Sequence, residues 1–382
     1  MKVAFLSTAH DIFDDRIFYH MANTLVKNGM KVMITCSNEN YHDFVQDIYI
    51  NSFLGNHYSK TEKINAFFSR LSDFSPMVIV CSTPLSILAA FKYKKNKHKS
   101  VNIIYDITEW YPSKKNINVK PLPVKALRFF QLLLFHFSTI FFCNGFIFGE
   151  WYKSRPFRYL FPRKPHVFIS YYPDLSIIPI TSPGLHPNKL RLCYSGKLTH
   201  EKGMGNFISV LEHLNQMHPE LVLDVKIIGW YSNETERYIF EKRLKTLTNT
   251  SLSFFPKLPF HDYLNAIKDI DIFFDLRSDD FENQHCLPIK LFYYAALGRP
   301  VIFTNLKAIR KEVEIELFGF LTSPSDHENI ALIVDKYLKN PKLYYHHCEN
   351  ARKLSVEKYN WKQLEDDFIC FLQKGHKKRY AE

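Results

Sequence analysis

Glycine and cysteine are scarce in this sequence, and each shortage removes a class of answer. Only 12 glycines occur among 382 residues, too few for collagen-like or other Gly-rich architectures. None of them builds a G-x-G-x-x-G or a G-x-x-x-x-G-K-[ST] run, which disfavours a dinucleotide-fingerprint oxidoreductase and a P-loop enzyme. The seven cysteines, at 36, 81, 143, 193, 286, 348 and 370, are odd in number, widely spaced and free of any C-x-x-C. A disulfide framework or Cys-based zinc site is not expected, and a reducing compartment suits them better. Charged residues make up 23% and hydrophobic ones 46%, so the chain is not globally disordered. Zinc-finger spacing, RNP-type aromatic motifs and a basic region leading into heptads are all missing, so no nucleic-acid partner is expected.

Long apolar runs are also few. The N-terminal VAFLS is too short for a signal-peptide core and reads as a buried strand. Phe129–Phe148 is the one membrane-like stretch, but Gln131, His136 and Asn144 are costly at a bilayer centre. An apolar helix over about Val124–Phe137 and a strand at Phe146–Phe148 are expected instead. Lys125, Arg128, Lys153, Arg155 and Arg158 flank this region, which suits a membrane surface as well as a core.

What is abundant is positive charge, and it is uneven. Residues 1–178 carry 22 Lys+Arg against 12 Asp+Glu, whereas residues 179–382 carry 28 against 26. The first half therefore favours an anionic partner such as a membrane surface or a phosphorylated substrate.

The length suggests two domains at about 150 residues each. Apolar strand-like runs alternate with amphipathic helical stretches throughout. Strands are expected at Val3–Ser7, Lys31–Cys36, Met77–Ser82, Val101–Ile107, Gly145–Phe148 and Val167–Tyr171. The pattern restarts with Leu190–Tyr194, Leu223–Gly229, Leu252–Phe255, Ile270–Leu276, Val301–Thr304 and Gly319–Leu321. Between the first two, Asp15–Asn28 places Ile17, Phe18, Met21, Ala22 and Leu25 on one stripe, with Gly29 at the C-cap. Continuous apolar strands separated by helices imply parallel sheets covered on both faces, an α/β fold. Ile177–Asn188, rich in proline, reads as the linker between two such blocks.

Two segments carry candidate chemistry. Leu192–Gly203 (LCYSGKLTHEKG) reads as a strand, a polar loop with Lys197 and Lys202, and a helix start, a setting that favours an anion such as a diphosphate. His285–Ile302 (HCLPIKLFYYAALGRPVI) puts Pro288 at a helix N1 position and Gly298 at its C-cap. Asp269-Ile-Asp271 has the look of a metal-binding DxD but reads better as the entry to a strand, so no metal site is expected.

Together these segments resemble the nucleotide-sugar domain of GT-B glycosyltransferases, specifically the retaining family-4 group. Gly196, Lys197, Lys202 and Gly203 match that family's G-[RK]-x-x-x-x-K-G loop. Leu287, Pro288, Lys290, Phe292, Tyr294, Ala296, Gly298, Pro300, Val301 and Ile302 match its later L-P-x-K pattern. His10, Asp14, Arg16, Ile17 and Phe18 are similar to its H-P-x-x-D-x-R-I-F opening. Tyr105–Pro112 (YDITEWYP) is similar to its Y-D-x-H-E-x-Y-P segment, and Tyr359-Asn-Trp361 to the start of its last helix. The chain departs from the family where two donor-site glutamates are common, here His285 and Tyr293, with Glu282 nearby. It departs again at Thr108, which stands in place of a histidine.

The resemblance implies two Rossmann-like domains facing across a cleft: residues 1–178 on the acceptor side and 179–360 for the nucleotide sugar. Residues 361–382 would form a helix returning to the first domain. The implied activity is transfer of a sugar from a nucleoside diphosphate sugar to a saccharide or lipid-linked hydroxyl, with retention and without a metal. Lys197 and Lys202 would stabilise the leaving diphosphate, and His10, Asp106 and Glu109 would act on the acceptor beside Asp14 and Arg16. Ser195, Gly196, Gly203, Glu282, His285, Pro288, Ile289, Lys290 and Tyr293 would line the donor site. The implied setting is the cytoplasm, with peripheral contact to an anionic membrane. A catalytically degenerate binding subunit and a nucleotide-sugar epimerase of the same shape remain open alternatives.

Overall fold

The computed structural model describes residues 1–109, 117 and 121–377. They divide into two units, one of Met1–Tyr171 with the chain from Lys362 onward, the other of Tyr172–Trp361.

In the first unit, β1 (Lys2–Ser7), β2 (Lys31–Cys36), β3 (Asn38–Val45), β4 (Ile48–Leu54), β5 (Val78–Cys81), β6 (Asn102–Ile107), β7 (Gly145–Phe148) and β8 (His166–Phe168) form one sheet. Its order is β3-β4-β2-β1-β5-β6-β7-β8. Every pairing is parallel except β3 with β4. The strands VIVC (β5) and GFIF (β7) are buried along their whole length, as a sheet covered on both faces requires. The β3–β4 hairpin was not expected from the sequence. Its outer strand, NENYHDFV, is half exposed and polar, a composition that discourages further pairing at a sheet edge.

Asp15–Asn28 is helical as expected, but its first part, Asp15–Ala22, is a π-helix that runs into α1 (Asn23–Lys27). Gly29 follows at φ +73°, a left-handed position natural for glycine after a helix. A reciprocal Ser59–Glu62 cap opens α2 (Lys60–Phe74), and Thr83 with Ser86 opens α3 (Pro84–Asn96). The apolar stretch is a helix, α4 (Leu122–Ile140), longer than expected, and α5 (Trp151–Leu160) follows β7. No helix among the described residues is long and apolar enough to cross a membrane.

In the second unit, β9 (Lys189–Leu198), β10 (Val222–Tyr231), β11 (Thr250–Phe255), β12 (Ile272–Asp275), β13 (Val301–Thr304) and β14 (Gly319–Thr322) form a wholly parallel sheet in the order β11-β10-β9-β12-β13-β14. Its helices are α6 (Met204–Met217), α7 (Glu234–Leu244), α8 (Phe260–Ile267), α9 (Phe281–Gln284), α10 (Lys290–Ala296), α11 (Lys307–Glu312), α12 (His327–Lys339) and α13 (Pro341–Glu357). Helix α6 buries Met204, Phe207, Ile208, Leu211 and Leu214 in a core shared with Leu192, Ile227 and Phe274 of the sheet. The last helix, α14 (Glu365–Lys377), belongs to the first unit. There Glu365 accepts a hydrogen bond from Thr24 Oγ1 (2.8 Å).

Connections diverge from β1 to β2 and β5 in one sheet, and strand order diverges between β9 and β12 in the other. Such switch points open crevices at the carboxyl ends of parallel strands, where ligands of these folds bind.

Candidate active site

In the second unit the switch point lies where β9 and β12 end. The chain leaving β9 crosses the end of β12 so closely that a Cβ on Gly203 would sit 2.3 Å from the Leu276 backbone. Gly203 also adopts φ +89°, so both space and conformation demand glycine. Three hydrogen bonds fix the crossing: Asn206 Nδ2 donates to the Leu276 carbonyl (2.9 Å), the Ser278 N–H to the Glu201 carbonyl (3.0 Å), and Tyr194 Oη to the Lys202 carbonyl (3.0 Å).

This crossing gathers cations. Lys202 Nζ lies 3.1 Å from Glu201 and 3.4 Å from Asn283 Oδ1. Asn283 is itself held by Ser278 and Asp280. Arg277 grips Asp275 through both carboxylate oxygens, Nε at 2.7 Å. Lys290, from the start of α10, donates to the Ser195 carbonyl and lies over Gly196. Burial lowers the Lys290 pKa; Asp275 opposes that, while Arg277 and Lys202 reinforce it. Burial works against ionisation of Asp275 too, but Arg277 and Lys290 outweigh it and hold its carboxyl below the usual range. Arg277 and Lys290 thus flank one buried carboxylate, and Lys202 acts on Lys290 from beside it, an arrangement suited to a polyanion.

Several donor-side expectations are redrawn by this geometry. Lys197 is not in the loop: β9 continues through Leu198, pairing Gly196 with Gly229 and Lys197 with Trp230. It stands exposed at the strand end, and the cations found around Lys290 are Arg277 and Lys202. The Ser195 hydroxyl is taken up in a triangle with Tyr294 Oη (2.8 Å) and Tyr263 Oη (3.0 Å), beneath a Tyr294 ring stacked on Phe273. Tyr293 is 2% exposed with its ring edge-on to Phe260, so no open face is left for a ribose. His285 is partly buried, with Nδ1 2.8 Å from the Phe281 carbonyl. Glu282 is partly exposed in the first turn of the short α9, whose backbone N–H groups Asp280 caps. Pro288 is buried and Ile289 exposed just ahead of α10. Arg277 and Asp275 were missed in the sequence because no motif marks them.

In the first unit, residues after β1, β6 and β7 meet. Arg16 Nε and Nη2 clamp Asp106 at 3.0 and 2.9 Å, and Nη1 donates to the Ile169 carbonyl (2.6 Å). Both side chains are buried. Asp106 therefore anchors Arg16 and is not the acceptor-hydroxyl ligand that its position suggested. Asp14 accepts from the Ile17 N–H (3.0 Å) and, through its other oxygen, from His10 Nδ1 (2.9 Å). Burial opposes protonation of His10, but that hydrogen bond and the charges of Asp14, Asp106 and Glu109 prevail and raise its pKa to about 9. His10 is therefore an imidazolium at neutral pH, with Nε2 3.4 Å from Thr108 Oγ1. An imidazolium has no lone pair to take a proton from an acceptor hydroxyl, so at neutral pH His10 can act on an acceptor only as a hydrogen-bond donor.

Glu109 is exposed at the end of β6; Trp110–Pro112 of the same motif lie outside the described residues. Lys153, expected among the cations of a membrane-facing region, instead turns inward: it pairs with the fully buried Glu150 and donates to the Thr108 carbonyl (2.7 Å). Asp271 of the D-I-D run is paired with Arg191 (2.6 Å), and no cluster that could hold a metal occurs among the described residues.

Comparison with known proteins follows the same division. Residues 180–354 match the family described as glycosyl transferases group 1. A glycosyltransferase of Methanocaldococcus jannaschii is 24% identical over 176 residues, 46% of this chain and 43% of that relative, so the match spans less than half of its length. Among solved structures, sucrose-phosphate synthase from Thermosynechococcus elongatus superposes with a TM-score of 0.73 at 14% identity, covering 100% of this chain and 98% of that one. HepE of Anabaena, solved in complex with UDP-glucose, gives 0.70 at 13% identity, covering 98% and 100%. Both parallel-sheet units thus share the fold of these glycosyltransferase structures, and the second unit carries the match to group 1 glycosyl transferases over residues 180–354.

Proposed function

We propose that this chain transfers a sugar, with retention, from a nucleoside diphosphate sugar to a hydroxyl of a saccharide or lipid-linked acceptor, at the cytoplasmic face of a membrane. The carrying observation is the cluster of Lys202, Arg277 and Lys290 at the carboxyl ends of β9 and β12. Negative charge builds on the diphosphate as the glycosidic bond breaks, so fixed cations there stabilise the transition state more than the ground state. No metal is needed to neutralise the leaving group in this reading. HepE, whose structure holds UDP-glucose, makes a uridine nucleotide the first donor to try.

On the acceptor side, Glu109 supplies the exposed carboxylate. Protonated His10 donates a hydrogen bond and orients the acceptor. Asp14, Arg16 and Asp106 hold that loop in place.

The test is a thermal-shift panel of UDP, GDP, ADP and their sugars, followed by acceptor-dependent release of the nucleoside diphosphate with and without a chelator. One nucleotide should raise the midpoint in a concentration-dependent way, and turnover should require acceptor and resist chelation. Nucleotide binding without any acceptor-dependent release would leave a binding subunit, and turnover without acceptor would indicate an epimerase. The anomeric configuration of the product decides retention.

A further inference from the structure

Helix α4 carries its hydrophobicity on the wrong side for a surface helix. Its inward face is already in contact: His136, Thr139 and Ile140 are buried, and His136 Nε2 meets Tyr105 Oη at 3.2 Å. Its outward face should then be polar. Instead Leu127, Phe130 and Leu134 are 59%, 59% and 71% exposed, and Phe141 at the helix end is 72% exposed. The spacing 127, 130, 134, 141 runs along one side of a helix at 3.6 residues per turn. Leu122 and Val124 extend the exposed apolar surface at the N-terminal end. At the other end Phe141 packs edge-on to Phe161 (5.5 Å), next to α5, where Tyr159 and Leu160 are exposed.

The charges flanking this surface along the chain have one sign. Between Glu109 and Glu150 the sequence contains no Asp or Glu but has Lys114, Lys115, Lys120, Lys125 and Arg128. Of these, Arg128 is exposed on α4, and exposed Arg155, Arg158 and Arg163 lie on and just beyond α5. A contiguous apolar stripe of this kind marks an interaction surface. An apolar stripe flanked on α4 and α5 by exposed arginines matches the headgroup–acyl boundary of an anionic bilayer.

We propose that the outward face of α4, from Leu127 to Phe141 with the adjoining end of α5, is a docking surface for anionic lipid bilayers. It inserts Leu127, Phe130, Leu134 and Phe141 while Arg128 and the α5 arginines engage lipid phosphates. The inference gives a specific face to the membrane setting of the proposed reaction but depends on neither donor nor acceptor.

The experiment is co-sedimentation of the full chain with phosphatidylglycerol-containing or pure phosphatidylcholine vesicles. Binding is expected only to the former and should weaken as salt rises. The Leu127→Ser/Phe130→Ser/Leu134→Ser variant should lose at least about tenfold in partitioning while keeping its melting midpoint and any nucleotide-induced shift. Arg128→Gln/Arg155→Gln/Arg158→Gln, which leaves the apolar stripe intact, should lose the preference for anionic lipid, and a preference kept in that variant would overturn the proposal. Undiminished binding by the serine variant, binding by neither vesicle type, or a wild-type dimer that the serine variant makes monomeric would each overturn the proposal, the last by assigning the face to a second copy. Because nucleotide shifts are read on the same samples, failure here is distinguishable from failure of the sugar-transfer reading.

Discussion

The carboxyl ends of the two sheets hold similar side chains in opposite electrostatic balance. In the first unit, protonated His10, Arg16 and Lys153 face Asp14, Asp106, Glu109 and Glu150. All but Glu109 are engaged in close pairs. In the second, Lys202, Arg277 and Lys290 face Asp275 and the half-exposed Glu201. One edge is charge-paired but for Glu109; at the other Arg277 pairs with Asp275 and Lys202 with Glu201, while Lys290 donates to a backbone carbonyl. In the proposed reaction the first end takes acceptor hydroxyls and the second the donor diphosphate, and the variants below test that division.

The comparison breaks most severely at Arg16. Removing one partner of a buried ion pair leaves an unpaired charge and costs about 3–5 kcal/mol. Arg16→Ala should therefore lower stability by that amount in denaturant melts, since Asp106 is almost fully buried. If Asp106 were instead an acceptor ligand, Arg16→Ala would impair turnover with little loss of stability.

The His10–Asp14 pair gives the next effect, through pH. His10 titrates at 6.5 when unfolded and at about 9 when folded. Its contribution, on the order of 3 kcal/mol, is complete below pH 6.5 and is lost as pH rises through 9. Asp14 lies below its ordinary 3.8 in the folded state: burial resists its ionisation, but the His10 hydrogen bond and charge prevail. Its share is present above 3.8 and fades at lower pH. Stability curves between pH 6 and pH 10 should slope downward, and Asp14→Asn should flatten them. A slope unchanged in Asp14→Asn would deny the pairing.

In the second unit Lys202→Ala should reduce kcat/KM by roughly 10- to 150-fold, about 1.5–3 kcal/mol of transition-state binding. Stability should hardly change, because the side chain is 38% exposed. An unchanged turnover would remove the leaving-group role.

How much of this was legible in the sequence depends on whether burial or pairing shapes each feature. Buried strands announce themselves by continuous apolar runs, and Lys31–Cys36, Gly145–Phe148 and Val301–Thr304 end where expected. The outer hairpin strand, half exposed and polar, carries no such run. The π-helix leaves the apolar stripe nearly intact, so periodicity identifies a helix there but not its winding. Motif matching drew attention to Lys202, Gly203 and Lys290. It missed Arg277 and Lys153, whose partners Asp275 and Glu150 lie two and three residues away in segments with no signature. It also gave free roles to Asp106 and Ser195, because hydrogen-bond saturation by Arg16, Tyr263 and Tyr294 is a tertiary fact.

The smallest effect tests the sharpest revision. A motif treats Lys197 and Lys202 as equivalent, but their backbones differ. Lys197 is locked into the β9–β10 ladder opposite Trp230, whereas Lys202 follows the turn that Gly203 presses against β12. A solvated lysine fixed at a strand end behaves as a surface residue, and such substitutions change free energies by about 0.5 kcal/mol or less. Lys197→Ala should thus alter kcat/KM by no more than about twofold, against the much larger loss in Lys202→Ala. Equal losses in the two variants would mean that Lys197 swings onto the diphosphate once donor is bound. The positive excess at this edge would then be mobile, brought in by the ligand instead of built into the crossing of Gly203 over β12.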